Sequence, residues 1–214
     1  MNRLLRLLFF LLVVRPTALI VLGLNVRHRD RLPHGGPAIL VANHNSHLDS
    51  LVLMTLFPSR TLPLLRPVAA QDYFFRYRWL KWFALRIIGI IPLDRRAKRE
   101  HHQHPLDPIS RSLDEGQIAI LFPEGSRGEP EQLGQFKTGI AHLAKRHPDV
   151  PVYPIYMHGL GKALPRGEAL LVPFFCDIFV GEPFRWTGDR DGFIGELTAR
   201  MNDLAGEGQF AEWE

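Results

Sequence analysis

The segment Asn43-His44-Asn45-Ser46-His47-Leu48-Asp49 places a histidine five positions before an aspartate. An aspartate that accepts a hydrogen bond from one imidazole nitrogen fixes the tautomer and leaves the other nitrogen free to take a proton. An alcohol is a poor nucleophile until its proton starts to leave, and imidazole is the side chain tuned near neutral pH to remove it. A His44–Asp49 pair with no evident serine nucleophile suits direct transfer from an activated donor such as a thioester, with no acyl-enzyme and no cofactor. Two other readings share these residues. His44, His47 and Asp49 have a spacing that metal ligands of a hydrolase can use. Alternatively, Asp49 only caps a helix near Ser46 and His44 is a satisfied core residue. His101, His102 and His104 lack carboxylates or thiols at ligand spacing and read as a solvated loop, so no metal is assigned.

A second cluster is Phe122-Pro123-Glu124-Gly125-Ser126-Arg127-Gly128. Gly125 and Gly128 permit close backbone approach, and Arg127 offers a planar fork matched to phosphate oxygens. Glu124 would repel phosphate, so it either holds Arg127 in place or accepts a bond from a substrate hydroxyl. A tight turn with a surface ion pair is the plainer alternative.

These clusters need elements to position them. Ala38 to Ala42, an apolar run bounded by turn residues, predicts a buried strand that delivers the chain into His44. Open α/β sheets place their chemistry there, at the carboxyl ends of strands. Ile118 to Phe122 predicts the strand that enters the Glu124 turn. Pro67 to Ala70, Val152 to Met157 and Leu170 to Val180 predict further strands, and Ile87 to Leu93 reads as partly extended. Helices are expected over Ser46 to Phe57, Asp72 to Arg86, Leu106 to Glu115, Phe136 to His147 and Asp191 to Leu204. The alternation specifies an α/β class, with a mixed, largely buried β-sheet flanked by helices. At 214 residues, 46% of them hydrophobic, the chain suits one such domain rather than two. The single cysteine, Cys176, excludes an internal disulfide and, set among phenylalanines, reads as a buried, inert thiol.

Residues 1–26 are expected to form a membrane-associating helical segment ahead of a domain over 27–214. Leu7 to Val14 is an unbroken apolar run. A span needs about 20 such residues, and Arg15 would fall near its middle at a cost of about 2.5–3.5 kcal/mol. Pro16 would break the helix. Two short helices meeting at Arg15-Pro16 and dipping into one leaflet fit better than a span, and no convincing cleavage site marks a signal peptide. A net charge of +4 calls for a negatively charged partner. Arg76, Arg78, Lys81 and Arg86 are interleaved with Tyr73, Phe74, Phe75, Tyr77, Trp79, Trp82 and Phe83, a mixture suited to a bilayer interface. A half-buried helix with a solvated basic face is the plain alternative. Membrane lipids rather than nucleic acid are the expected partners, with the protein monotopic on a cytoplasmic face.

Four blocks in order, from Asn43 to Ile155, resemble the glycerolipid acyltransferase family of the 1-acylglycerol-3-phosphate (lysophosphatidic acid) acyltransferase type. Asn43-His44-x-Ser46-x-x-Asp49 is similar to its catalytic block. Gly89-Ile90-Ile91-Pro92-Leu93-Asp94-Arg95 looks like the second, whose arginine, here Arg95, binds acceptor phosphate. Phe122 to Arg127 resembles the third, which implies Glu124, Gly125, Ser126 and Arg127 in acceptor binding. Val150-Pro151-Val152-Tyr153-Pro154-Ile155 resembles the fourth, on the acyl-donor side, and Phe136-Lys137-x-Gly139 resembles a further family feature, which implies Lys137 near the phosphate. The resemblance implies transfer from acyl-CoA or acyl carrier protein to the hydroxyl of a lysophospholipid, foremost 1-acylglycerol-3-phosphate giving phosphatidic acid. Other lysolipids remain open as acceptors, and the polar stretch Ala97 to Pro108 matches no family motif.

Overall fold

A computed structural model of the chain describes residues 2–46, 48–94, 104–126, 132–163 and 172–210. Among the described residues seven strands form one mixed sheet: β1 (Leu22–Arg27), β2 (Ala38–Ala42), β3 (Leu65–Ala70), β4 (Ile91–Leu93), β5 (Ile118–Leu121), β6 (Val152–His158) and β7 (Phe174–Val180). Their spatial order is β1-β7-β6-β2-β5-β3-β4. Strands β2 to β6 all run the same way, β7 opposes β6, and β1 lies parallel to β7. The α-helices are α1 (Arg3–Phe9), α2 (Arg15–Ile20), α3 (Asp49–Thr55), α4 (Gln71–Phe74), α5 (Arg78–Phe83), α6 (Asp107–Asp114), α7 (Gly139–Arg146), α8 (Leu160–Ala163) and α9 (Arg190–Glu207).

Strand β2 shows why its sequence is an apolar run rather than an alternation. Ala38, Leu40 and Ala42 face a core shared with Phe10, Val52 and Leu53. Ile39 and Val41 face a second core with Ile109, Leu143 and Leu197. A strand covered by helices on both faces has no solvent side to make polar. Cys176 is buried, as its flanks led us to expect.

Several elements differ from the sequence expectation. Leu22–Arg27, read as the end of the apolar segment, is an edge strand paired with β7 from Leu22↔Phe174 to Arg27↔Phe179. The expected helix over Asp72 to Arg86 is broken: Tyr77 is extended, at φ −124° and ψ 139°, and separates α4 from α5. Beyond α5 the chain widens into a π-helical turn, Ala84–Ile88, because the N–H groups of Gly89 and Ile90 both reach the Ala84 carbonyl. Gly89, at φ +78°, then turns the chain into β4, a conformation that favours glycine. Helix α7 begins at Gly139 rather than Phe136, because the Lys137 N–H is drawn to the Pro123 carbonyl at 2.9 Å and leaves the helical path. The strand expected from Leu170 begins at Phe174 within the described residues; positions 164–171 lie outside them.

At the N-terminus α1 and α2 are joined by another π-helical turn, Phe10–Val14, where the Arg15 N–H bonds the Phe10 carbonyl five residues back. The wide turn absorbs Pro16, which has no N–H to give and sits in the first turn of α2. Arg15, which argues against a span, and Arg6 both face inward. Arg6 donates to the Leu65 carbonyl at 2.9 Å and Arg15 to the Phe57 carbonyl at 2.8 Å. Burial, and then the neighbouring Arg66, push Arg6 down to about 9, so it stays cationic at neutral pH. Leu4, Leu12, Leu19 and Ile20 are left facing solvent, Ile20 at 82% exposure. Among the described residues no helix is long and apolar enough to cross a membrane.

Candidate active site

The strands align the two clusters. Val41 pairs with Leu121 across the parallel β2–β5 ladder, so His44 and Glu124, each three residues further on, leave the same end of the sheet side by side. The carboxyl end of a central strand is where an open α/β sheet leaves a crevice. Strand β6 flanks β2 on the other side and anchors the loop. The Asn43 amide donates to the Met157 carbonyl at 2.8 Å and accepts from the Met157 N–H at 2.8 Å, continuing the ladder with a side chain. Asn45 donates to the same carbonyl at 3.0 Å. Neither amide drew a role from the sequence. The available signal was two amides, both buried, directly after an apolar strand.

His44 Nδ1–H donates to Asp49 Oδ2 at 2.9 Å. The same oxygen accepts the backbone N–H groups of Asn45 at 2.7 Å and Ser46 at 2.9 Å. Asp49 therefore does both things the sequence left open: it braces the turn into α3 and orients the imidazole. Helix α3 starts at Asp49 and not at Ser46, because residues 45 and 46 direct their N–H groups to this carboxylate instead of a helical ladder. Asp49 is fully buried, whereas the His44 side chain is 23% exposed. Burial raises the Asp49 pKa; the His44 hydrogen bond and the two backbone N–H groups pull it back. With Nδ1 engaged, Nε2 is the nitrogen left for a substrate proton. The ring stacks on Phe122, centroid to centroid at 4.4 Å, which holds its plane.

In the second cluster Gly125 has φ +75°, and Lys137 Nζ lies where a β-carbon at position 125 would sit. Glycine here satisfies both the turn and the lysine's path. Ser126 is exposed beside it. Glu124 is buried, and neither carboxylate oxygen has a hydrogen-bond partner among the described residues. Burial raises its pKa, while the Gly134 and His44 N–H groups, which point towards it, pull the other way. The sign of the consequence follows. A folded pKa above the usual 4.5 means the native state holds this proton more tightly than the unfolded chain. The stabilisation is complete below about 4.5 and is lost as pH rises through the folded value. Glu124→Gln, which resembles the protonated form, is expected to raise Tm at pH 7 and leave it unchanged at pH 4, by about 2–4 °C for each kcal/mol relieved. Thermal melts of both proteins at the two pH values check this.

Of the residues singled out from sequence, the structure brings together His44, Asp49, Glu124, Gly125, Ser126 and Lys137. Arg95, Arg127, Gly128, His47, His101 and His102 lie outside the described residues; His104 is exposed ahead of α6. Among the described residues no three histidines, cysteines or carboxylates are grouped to hold a metal ion.

Comparison with known proteins places this arrangement. Residues 23–158 match the family model described as Acyltransferase. A chloroplastic 1-acyl-sn-glycerol-3-phosphate acyltransferase of Brassica napus is 32% identical over 153 residues, covering 67% of this chain and 40% of that protein. The 1-acyl-sn-glycerol-3-phosphate acyltransferase of Haemophilus influenzae is 28% identical over 187 residues, covering 85% of this chain and 73% of that protein. The crystal structure of the 1-acyl-sn-glycerophosphate (LPA) acyltransferase PlsC from Thermotoga maritima shares the fold, with a TM-score of 0.74 at 19% identity over 96% of this chain and 81% of that one. The chain spans about two fifths of the length of the plant relatives it matches. Because the matched segment runs from β1 through β6 and contains both site clusters, the chain belongs to the acyltransferase family.

Proposed function

We propose that the protein transfers a fatty acyl group from a thioester donor, acyl-CoA or acyl carrier protein, to the free hydroxyl of a lysophospholipid. The acceptor that fits best is 1-acylglycerol-3-phosphate, and the product is phosphatidic acid. The observation that carries this reading is the 2.9 Å bond from His44 to the buried Asp49, at the sheet end shared with the Glu124–Gly125 turn and Lys137. His44 Nε2 takes the acceptor's proton as the hydroxyl oxygen bonds to the thioester carbonyl carbon. The C–S bond then breaks, and the imidazolium returns the proton to the leaving thiolate. Asp49 stabilises the imidazolium in between. Lys137 is exposed beside Gly125 and meets the acceptor phosphate, with Arg95 and Arg127 completing the clamp. Holding donor and acceptor together supplies much of the remaining rate.

The N-terminal helices support a monotopic placement on a membrane, and the face we propose is the cytoplasmic one. Arg6 and Arg15 are spent on the domain's own carbonyls, and Leu4, Leu12 and Leu19 face outward.

The test is an assay of purified protein with both donor types against a panel of lysolipids, read by mass spectrometry. Phosphatidic acid is expected from lysophosphatidate, undiminished by a chelator. Lys137→Ala should raise the acceptor KM about ten- to a hundredfold with little change in kcat, as befits a lost charge-assisted bond. No transfer to any lysolipid from either donor would overturn the proposal.

A further inference from the structure

Helix α1 packs against the π-helical turn Ala84–Ile88, and Phe9 meets Phe83 edge-on at 5.1 Å between centroids. An open cleft of about 620 Å³ remains, lined by Asn2, Arg3, Trp82 and Arg86. Both arginines are exposed, and among the described residues neither forms an ion pair with a carboxylate. Their own segments offer none, since residues 1–29 and 73–93 contain no aspartate or glutamate. Two guanidinium groups from different elements thus border one cleft with no carboxylate partner among the described residues. Around it the surface turns apolar: Leu4 is 65% exposed and Trp79 68%. Trp82, half exposed on the cleft wall, has the amphipathic ring that settles at headgroup depth.

We propose that this cleft takes the phosphate of an anionic phospholipid, bound for attachment rather than turnover, with its acyl chains along Leu4 and Trp79. A guanidinium pair suits a phosphodiester, and the neighbouring apolar surface suits the chains of the same molecule. The inference rests on the reading that this face meets a membrane. It adds that anionic lipid is recognised at one place rather than by the basic surface as a whole.

Vesicle flotation of the full chain separates the possibilities, using phosphatidylcholine vesicles and mixed phosphatidylcholine–phosphatidylglycerol vesicles. The unaltered protein should bind both, the mixed vesicles more tightly. Arg3→Gln with Arg86→Gln should weaken binding to mixed vesicles by roughly tenfold or more and leave phosphatidylcholine binding unchanged. Arg76→Gln with Arg78→Gln removes the same charge from the neighbouring exposed surface and should cost clearly less than the cleft pair. Equal losses in the two pairs, or an undiminished preference for mixed vesicles in the first pair, would overturn the cleft as a site. Failure of the unaltered protein to bind either vesicle would instead overturn the membrane reading beneath it.

Discussion

His44→Ala is expected to lower kcat by about 10²–10⁴-fold, the range over which a positioned general base works, while the protein stays folded. The stability side of this expectation follows from the contacts. The imidazole is partly exposed and, among the described residues, makes one hydrogen bond, to Asp49, together with its stacking on Phe122. Its loss leaves Asp49 Oδ2 with the Asn45 and Ser46 N–H groups still in place, so the turn into α3 keeps its brace. A cost of about 1 kcal/mol is in keeping with one hydrogen bond and a half-buried ring. Single-turnover acyl transfer and a urea melt, done on the same preparation, check both halves. Activity within a few fold of the parent would remove His44 from the chemistry. A loss of rate accompanied by collapse of the melt would leave its role structural.

Asp49→Ala should be costly in both respects. It strands the N–H groups of Asn45 and Ser46 in a buried turn and frees the imidazole to reorient. Two orphaned backbone donors, at about 1–3 kcal/mol each, take a large share of a typical stability of about 5–15 kcal/mol. Asp49→Asn divides the two roles. All three hydrogen bonds end on Oδ2, and Oδ1 has no partner among the described residues. An amide can therefore keep its oxygen where Oδ2 was and its NH2 where Oδ1 was. The fold should survive with a loss of about 1–2 kcal/mol for the buried NH2, whereas turnover should fall by about 10²–10⁴-fold because no charge remains to stabilise the imidazolium. Equal stability of the alanine and asparagine variants would show that the brace is unimportant. Near-parent turnover in Asp49→Asn would show that the charge is.

The two strands that carry the site were legible because they are buried on both faces. Ala38–Ala42 and Ile118–Leu121 read as short apolar runs between turn residues, and they are strands. Strand β1 was not read, although Leu22, Leu24 and Val26 alternate with Gly23, Asn25 and Arg27. That period-two signal follows directly on an apolar helical run, and nothing local marks the change. What makes it a strand is β7, about 150 residues away in the chain. The break at Tyr77 and the π-helical turn after Phe83 were hidden for a similar reason: helix propensity in residues 72–86 is fair, and the alternative carbonyl partners become visible only in space.

The chain's covalent order by itself determined which groups are available: an imidazole and a carboxylate five positions apart after one strand, and a glutamate and glycine after another. It also set the α/β class, because hydrophobic period and turn residues act over a few positions at a time. Tertiary structure decided the rest. Ladder register set His44 beside Glu124, Met157 fastened the two asparagines, and the fold turned Arg6 and Arg15 inward so that leucines face out. Those outcomes depend on backbone hydrogen-bond partners far apart in the chain, which no local pattern of side chains encodes.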